Sequence, residues 1–242
     1  MENSSFEARW RRRFDEFAET QETDASIAGW SETGLETRVR AFIRYWKPRP
    51  VGERWLDLGC GAGTYTRQLA DEGLNVVGAD YSPRTLVKAR SRSAKSISWL
   101  SADAKQLPFA DATFDGILCF GVTQVLSETL PVAAEAARVL RPGGELWIDA
   151  LNAACLANAV SVVARRLSGL SARLRYDRVD SIRRSLRKAG FGTVGVYWLP
   201  LAPSGWRGLQ RVFESRASEV LFHAAPSIAS CLSHSFMVHA RR

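Results

Sequence analysis

Histidine, methionine and cysteine are scarce, at three, two and four among 242 residues. The cysteines, Cys60, Cys119, Cys155 and Cys231, make no CxxC pair and no disulfide framework. They read as free thiols in a reducing cytoplasm, and no metal site is expected. The longest uncharged stretch, Ala150–Ala164, has 15 residues, is alanine-rich and contains two asparagines, too short and too polar to span a bilayer. The beginning of the chain, Met1–Ser5, has no apolar segment and is followed by the charged run Arg9–Arg13, so no secretory leader is expected. No GxxxxGK[ST] phosphate loop, internal repeat or low-complexity linker is found.

What is present is a globular composition, 46% hydrophobic and 24% charged, enough for a buried core. The formal charge of +8 is unevenly placed. Residues 1–150 hold 19 basic and 21 acidic side chains, whereas 151–242 hold 14 and 4. The cationic excess therefore belongs to the last third and points to an anionic partner there rather than along the body.

From Glu53 onward short β-branched or apolar runs alternate with helical patterns. Strands are expected at Arg54–Leu58, Asn75–Asp80, Ile97–Ser101, Phe114–Phe120 and Gly144–Ala150, with helices near Thr64–Glu72, Pro83–Arg92 and Ser127–Leu140. Such units imply a parallel, doubly wound α/β sheet. After Ala150 the pattern gives helices at Asn152–Leu167 and Asp180–Ala189, strands at Phe191–Leu199 and Ser233–Ala240, and a helical insert at Trp206–His223 between those strands. Residues 6–20 and 34–47 read as N-terminal helices, and Trp10, Trp30 and Trp46 lie in this region.

The chemistry sits where the first strand hands over to its helix, at Leu56-Asp57-Leu58-Gly59-Cys60-Gly61-Ala62-Gly63-Thr64. Glycines there let the backbone turn tightly and approach a ligand. Nineteen residues past Gly61 the second strand ends in Asp80, a carboxylate able to hold both hydroxyls of a ribose. Together these describe a Rossmann-type nucleoside site. A dinucleotide fingerprint would need a third small residue where Thr64 stands. Asp57 beside the loop would repel a pyrophosphate but suits a cofactor bearing sulfonium and ammonium charges.

The run Leu56–Gly63, with Val76–Leu86, Ala102–Asp115, Arg138–Leu146 and the later Arg184–Phe191, resembles the class I S-adenosylmethionine-dependent methyltransferases of the small-molecule type. The resemblance is close over residues 40–150. It implies a Rossmann-like, mostly parallel seven-stranded sheet with an antiparallel last strand beside the fifth, and S-adenosylmethionine as cofactor with S-adenosylhomocysteine as product. It implies Gly59, Cys60 and Gly61 under the methionine portion with Asp57 nearby, and Asp80 on the ribose. Tyr81 would flank the adenine, Asp103 and the Ala104 N–H would reach its polar edge, and Phe120 and Gly121 would line the sulfonium end. A single domain over 1–242 follows, with 1–50 as a helical lid, 51–150 as cofactor core and 151–242 as the acceptor side.

Some acceptors are disfavoured. Phe120-Gly121-Val122-Thr123 stands where amino-group methylases of bases carry Asn/Asp-Pro-Pro-Tyr/Phe, and Cys119 is not preceded by proline as a pyrimidine-C5 nucleophile would be. Thr123-Gln124 replaces a His-His pair common among relatives, which removes an easy base. Asp149 and Asn152 are not adjacent, unlike the metal-dependent variants. His234, at the start of the antiparallel strand, is the candidate base with Asp149 orienting it, while His239 is expected at the opposite edge. Arg38 or Arg9 could meet the cofactor carboxylate, the blander reading being helical surface charge. Val160, Val163, Ala164, Leu167, Leu170 and Leu174 follow helical spacing, with Arg165, Arg166, Arg173 and Arg175 on other faces. The leading reading is a methyltransferase for a small-molecule acceptor, with an anionic, lipid-linked or glycan-linked metabolite suggested by the basic last third. An RNA (tRNA) methyltransferase using that third, a non-catalytic cofactor-binding partner subunit, and peripheral contact with a membrane surface are the alternatives.

Overall fold

The computed structural model describes residues 2–169, 174–201 and 207–242. Leu170, Arg173 and Trp206 lie outside the described residues, as does the side chain of His223. Seven strands, β1 (Arg54–Leu58), β2 (Asn75–Asp80), β3 (Ser98–Ser101), β4 (Phe114–Cys119), β5 (Leu140–Leu151), β6 (Gly192–Pro200) and β7 (Ser233–Arg241), form one sheet in the order β3-β2-β1-β4-β5-β7-β6. The first five are mutually parallel, and β7 runs antiparallel between β5 and β6. The order reverses between β1 and β4, which opens a crevice beyond their carboxyl ends.

Helices α1 (Glu2–Thr20), α2 (Asp24–Ile27) and α3 (Glu32–Tyr45) precede the sheet. Within it lie α4 (Thr64–Asp71), α5 (Pro83–Ser91) and α6 (Leu130–Val139). Later come α7 (Leu156–Leu167), α8 (Val179–Lys188), α9 (Arg207–Phe213), α10 (Arg216–Ala224) and α11 (Pro226–Leu232). Alternation along the strands assigns two cores. Leu56, Ile117, Leu146, Ile148 and Val238 pack with α6 and α8 on one face. Trp55, Leu118, Trp147 and Met237 pack with α3 and α4 on the other. The second is aromatic: Phe42 meets Trp46, Tyr65, Phe120 and Trp147 with ring centroids 5.0–5.7 Å apart. This cluster seats the N-terminal helices on the sheet.

Several elements differ from the sequence reading; among them, the helix expected from Asn152 starts at Leu156, since Asn152 still bridges Asp177. The helix expected from Ser127 starts at Leu130, after a single turn of 3-10 helix at Thr123–Val125. β5 starts at Leu140 rather than Gly144, because Leu140 pairs with Phe114 before the ladder breaks and resumes at Glu145 opposite Gly116. Pro142 and Gly143, at φ +78°, form the irregular stretch. The insert divides into the short helices α9, α10 and α11, the last opening on Pro226.

Candidate active site

The β1–α4 turn supplies the floor of a cleft enclosing about 1140 Å³, its open mouth included. Gly59 (φ +77°) and Gly121 (φ +76°) occupy a backbone region that side chains avoid. A Cβ on Gly59 would collide with Val122, and one on Gly121 would come within 2.6 Å of Trp30. The N–H groups of Gly59 and Cys60 both bond to the Ala79 carbonyl, at 2.8 and 3.0 Å, tying the turn to the end of β2. This is a cradle kept free of side chains.

Carboxylates surround the cradle. Asp57, 2% exposed, accepts a 2.5 Å hydrogen bond from the Thr66 hydroxyl. Burial pushes its carboxyl up to about 7; the Thr66 bond opposes this and the nearby Asp80 charge adds to it. Asp80 accepts from the N–H groups of Gly61 and Ser82, both at 3.0 Å, which leaves acceptor capacity on each oxygen. Burial raises its pKa, and those backbone bonds oppose the shift. Asp103 turns back on the Lys105 N–H at 2.9 Å, and Ala104 lines the wall beside it. Cys60 is buried, and desolvation lifts its thiol well above the ordinary range, so it is a packing residue rather than a nucleophile. Phe120 both lines the cleft and packs edge-on against Phe42 and Tyr65.

The N-terminal helices close over this floor. Arg11 stacks 3.8 Å above the Tyr81 ring and pairs with Asp103 at 2.7 Å, so one lid side chain engages two of the groups expected at the adenine. Glu7 accepts from Lys105 Nζ at 2.5 Å and from the Ser127 N–H at 3.0 Å. Burial pushes the Glu7 carboxyl up, but these hydrogen bonds outweigh it and hold the group near 2. Asp15 accepts from Ser82 Oγ at 2.6 Å, and Asp24 receives Thr64, Arg92 and Arg67. None of these clamps had a sequence signal: each joins residues 40 or more positions apart, with no local pattern at either end.

A second chamber adjoins the cleft and shares Trp10, Phe14, Ala28 and Trp30 with it. Apolar Leu151, Leu174 and Leu201 complete its walls, and Arg38, Gln124 and His234 bring polar groups. Here two expectations are corrected. Asp149 does not orient His234: its carboxylate accepts from the Gly121 N–H at 2.7 Å and from Arg38 Nε at 3.4 Å. The register explains this, since Asp149 stands opposite Met237, three residues beyond His234. Nor is Arg38 a surface charge; it is buried, lies 4.6 Å from the Trp30 ring and is committed to Asp149 and the Gly34 carbonyl. Arg9 remains exposed beside Phe6. Burial, helped by the Arg38 charge, pushes the His234 imidazole down to about 4, which keeps it neutral near pH 7. His239 lies at the far end of the sheet against Glu145, at 3.0 Å.

The methyltransferase-domain family model matches residues 56–148. The demethylmenaquinone methyltransferase of Beutenbergia cavernae is 33% identical over 170 residues, 65% of this chain and 67% of that protein. The chain belongs to the class I S-adenosylmethionine-dependent methyltransferases. A stretch of the bifunctional biotin-biosynthesis protein BioHC of Cellvibrio japonicus is 35% identical over 123 residues, 50% of this chain but only 24% of that protein. In fold, the chain superposes on the methyltransferase solved in complex with the Trm112 activator of Haloferax volcanii with a TM-score of 0.69, 21% identity, and coverage of 94% and 96% of the two chains. S-adenosylmethionine is the cofactor of this family, and a glycine cradle ringed by Asp57, Asp80 and Asp103 fits its sulfonium, ammonium and ribose groups. Among the described residues no helix is long and apolar enough to cross a membrane.

Proposed function

We propose that this chain transfers a methyl group from S-adenosylmethionine to a small, largely apolar acceptor that carries an ionisable oxygen. The observation that supports this most is the pair of adjoining chambers, the first ringed by carboxylates and the second lined by tryptophan, leucine, Arg38 and His234. Residues 1–50 act as lid, 51–150 as cofactor core and 151–242 as acceptor wall, with the cytoplasm as the compartment that suits four free thiols. Similar proteins include a demethylmenaquinone methyltransferase and a ubiquinone biosynthesis O-methyltransferase, and a planar apolar acceptor suits walls built from Trp10, Phe14 and Trp30.

The bound cofactor supplies an electrophilic methyl group on a sulfonium. Asp57 offsets the cofactor's positive charge, and Gly59, Cys60 and Gly61 let the backbone approach it. Asp80 holds the ribose hydroxyls, while Tyr81, Asp103 and the Ala104 N–H receive the adenine. Phe120 and Gly121 border the sulfonium end, where the two chambers meet. Arg38 draws an acceptor oxygen toward its anionic form, its proton leaving to solvent, and the neutral His234 ring orients that oxygen by a hydrogen bond rather than storing the proton. Asp149 acts through Arg38 and Gly121 as a positioning residue. Alignment and water exclusion by the lid are the main contributions to rate.

The deciding experiment incubates the full chain with methyl-labelled S-adenosylmethionine and separate pools of lipid extract, polar metabolites and tRNA, with S-adenosylhomocysteine release measured in parallel. Label in a small organic-extractable or polar metabolite is expected. Label in tRNA would overturn the acceptor class, and cofactor binding without turnover in any pool would support a cofactor-binding partner subunit instead.

A further inference from the structure

Helix α7 presents its apolar side outward. At about 100° per residue, Leu156, Val160, Val163 and Leu167 fall within an arc of about 60°. That arc faces solvent: the four side chains are 63%, 69%, 55% and 84% exposed. The opposite side touches the body through one buried polar residue. Asn158, 4% exposed, donates to the carbonyls of Asn152 and His234 at 2.8 and 2.9 Å. An amphipathic helix fixed by a buried polar residue and wearing its apolar stripe outside is the reverse of what burial in a core produces. Helix α11 packs beside it and adds the exposed Ile228 and Leu232.

The surrounding charge identifies the occupant. From Asn152 to Asp177 the sequence contains four arginines and one acid, Asp177, which is paired with Arg175 at 2.9 Å, so the segment is net cationic. Arg166 is exposed at the flank of the stripe, about a quarter-turn from its centre. A protein partner would have to be apolar and acidic at once; an anionic bilayer offers both along a plane. We propose that α7 lies in the headgroup region of an anionic membrane, with Leu156, Val160, Val163 and Leu167 immersed and arginine at the phosphate level. The anchor of the helix, Asn158, donates to the His234 carbonyl, so the side of α7 opposite the stripe adjoins the second chamber. The inference does not depend on methyl transfer.

The test is co-sedimentation of the full chain with vesicles of phosphatidylcholine alone and with a third of phosphatidylglycerol. The wild type should partition onto the anionic vesicles, with affinity falling as salt is raised. Val160→Glu with Val163→Glu should weaken partitioning at least about tenfold, and so should Leu156→Ser with Leu167→Ser. All four sites are exposed, so S-adenosylmethionine binding by calorimetry should be unchanged in both variants, which separates this proposal from the proposed activity. Failure of the wild type to bind anionic vesicles, or equal binding by both variants, would overturn it. A concentration-dependent dimer that the glutamate variant dissociates, without vesicle binding, would also overturn it and assign the stripe to a second copy.

Discussion

Asp57 illustrates how one buried carboxylate couples cofactor binding to pH. In the unfolded chain it titrates near 3.8, and in the cofactor-free fold near 7. Between those values the folded protein holds a proton that the unfolded chain has lost, so this residue's contribution to stability falls as pH rises through that window. A bound sulfonium and ammonium reverse the preference by favouring the ionised form. Affinity for S-adenosylmethionine is therefore expected to rise from pH 6 to 8 and then level; calorimetry across that range in wild type and Asp57→Asn checks this, the variant showing weak, flat binding. Asp80 is a sharper case, because in the proposed function its carboxylate holds two ribose hydroxyls. Asp80→Ala is expected to lose about a hundredfold in affinity, measured by the same titration. Arg11 works the other way. Its stack on Tyr81 and its partly exposed pair with Asp103 must yield to an adenine, so Arg11→Ala should tighten cofactor binding about threefold in equilibrium dialysis. These residues also mark the limit of what the sequence discloses. Gly59, Gly61 and Asp80 are legible because strand, turn and acid follow one another within a short stretch. The pairings of Arg38 with Asp149 and of Arg11 with Asp103 are not, since each spans about a hundred positions, although Asp103 itself stands in a recognisable block.

At the scale of elements, the parallel strands were readable because their fully apolar runs and intervening helices have one arrangement that buries both sheet faces. β5 was readable only in part: Pro142 and Gly143 suggest a turn, yet Leu140 already pairs with β4. The segment from Asn152 to Leu167 has the spacing of a core helix, and periodicity alone cannot say which way an apolar stripe points. Glu145, near the start of that ladder, holds the remote edge of the sheet together. It pairs with Arg49 at 2.5 Å, His239 at 3.0 Å and Arg241 at 2.7 Å. Burial pushes its carboxyl up, but bonds from His239 and Arg241 and the Arg49 charge overcome this and hold it near 2. Glu145→Ala would leave the largely buried Arg49 without its carboxylate and should cost about 3 kcal/mol in denaturant unfolding, with cofactor affinity of the folded protein unchanged.

Across the whole molecule, the charge asymmetry has an address. The cofactor cleft is lined by carboxylates, and the cationic excess lies with the elements after β5, where an exposed apolar helix is found. The N-terminal helices meet the body through carboxylates of α1 and α2, of which Glu7 is held near 2. Because its pKa is depressed from 4.5, its contribution is complete above that value and lost as pH falls through 2. Hydrogen exchange of α1 should thus be governed by the same opening at pH 8 and 5, and loosen below about pH 4.

Trp10 and Trp30 stand in both chambers, the latter against Gly121. The boundary between the two chambers, cofactor and acceptor sites in the proposed function, is therefore walled by indoles, which makes it an internal fluorophore. Occupation of either chamber changes the polarity and quenching around the same two rings. Emission from a chain whose other tryptophans are replaced by phenylalanine would report each ligand's arrival in turn, without a label.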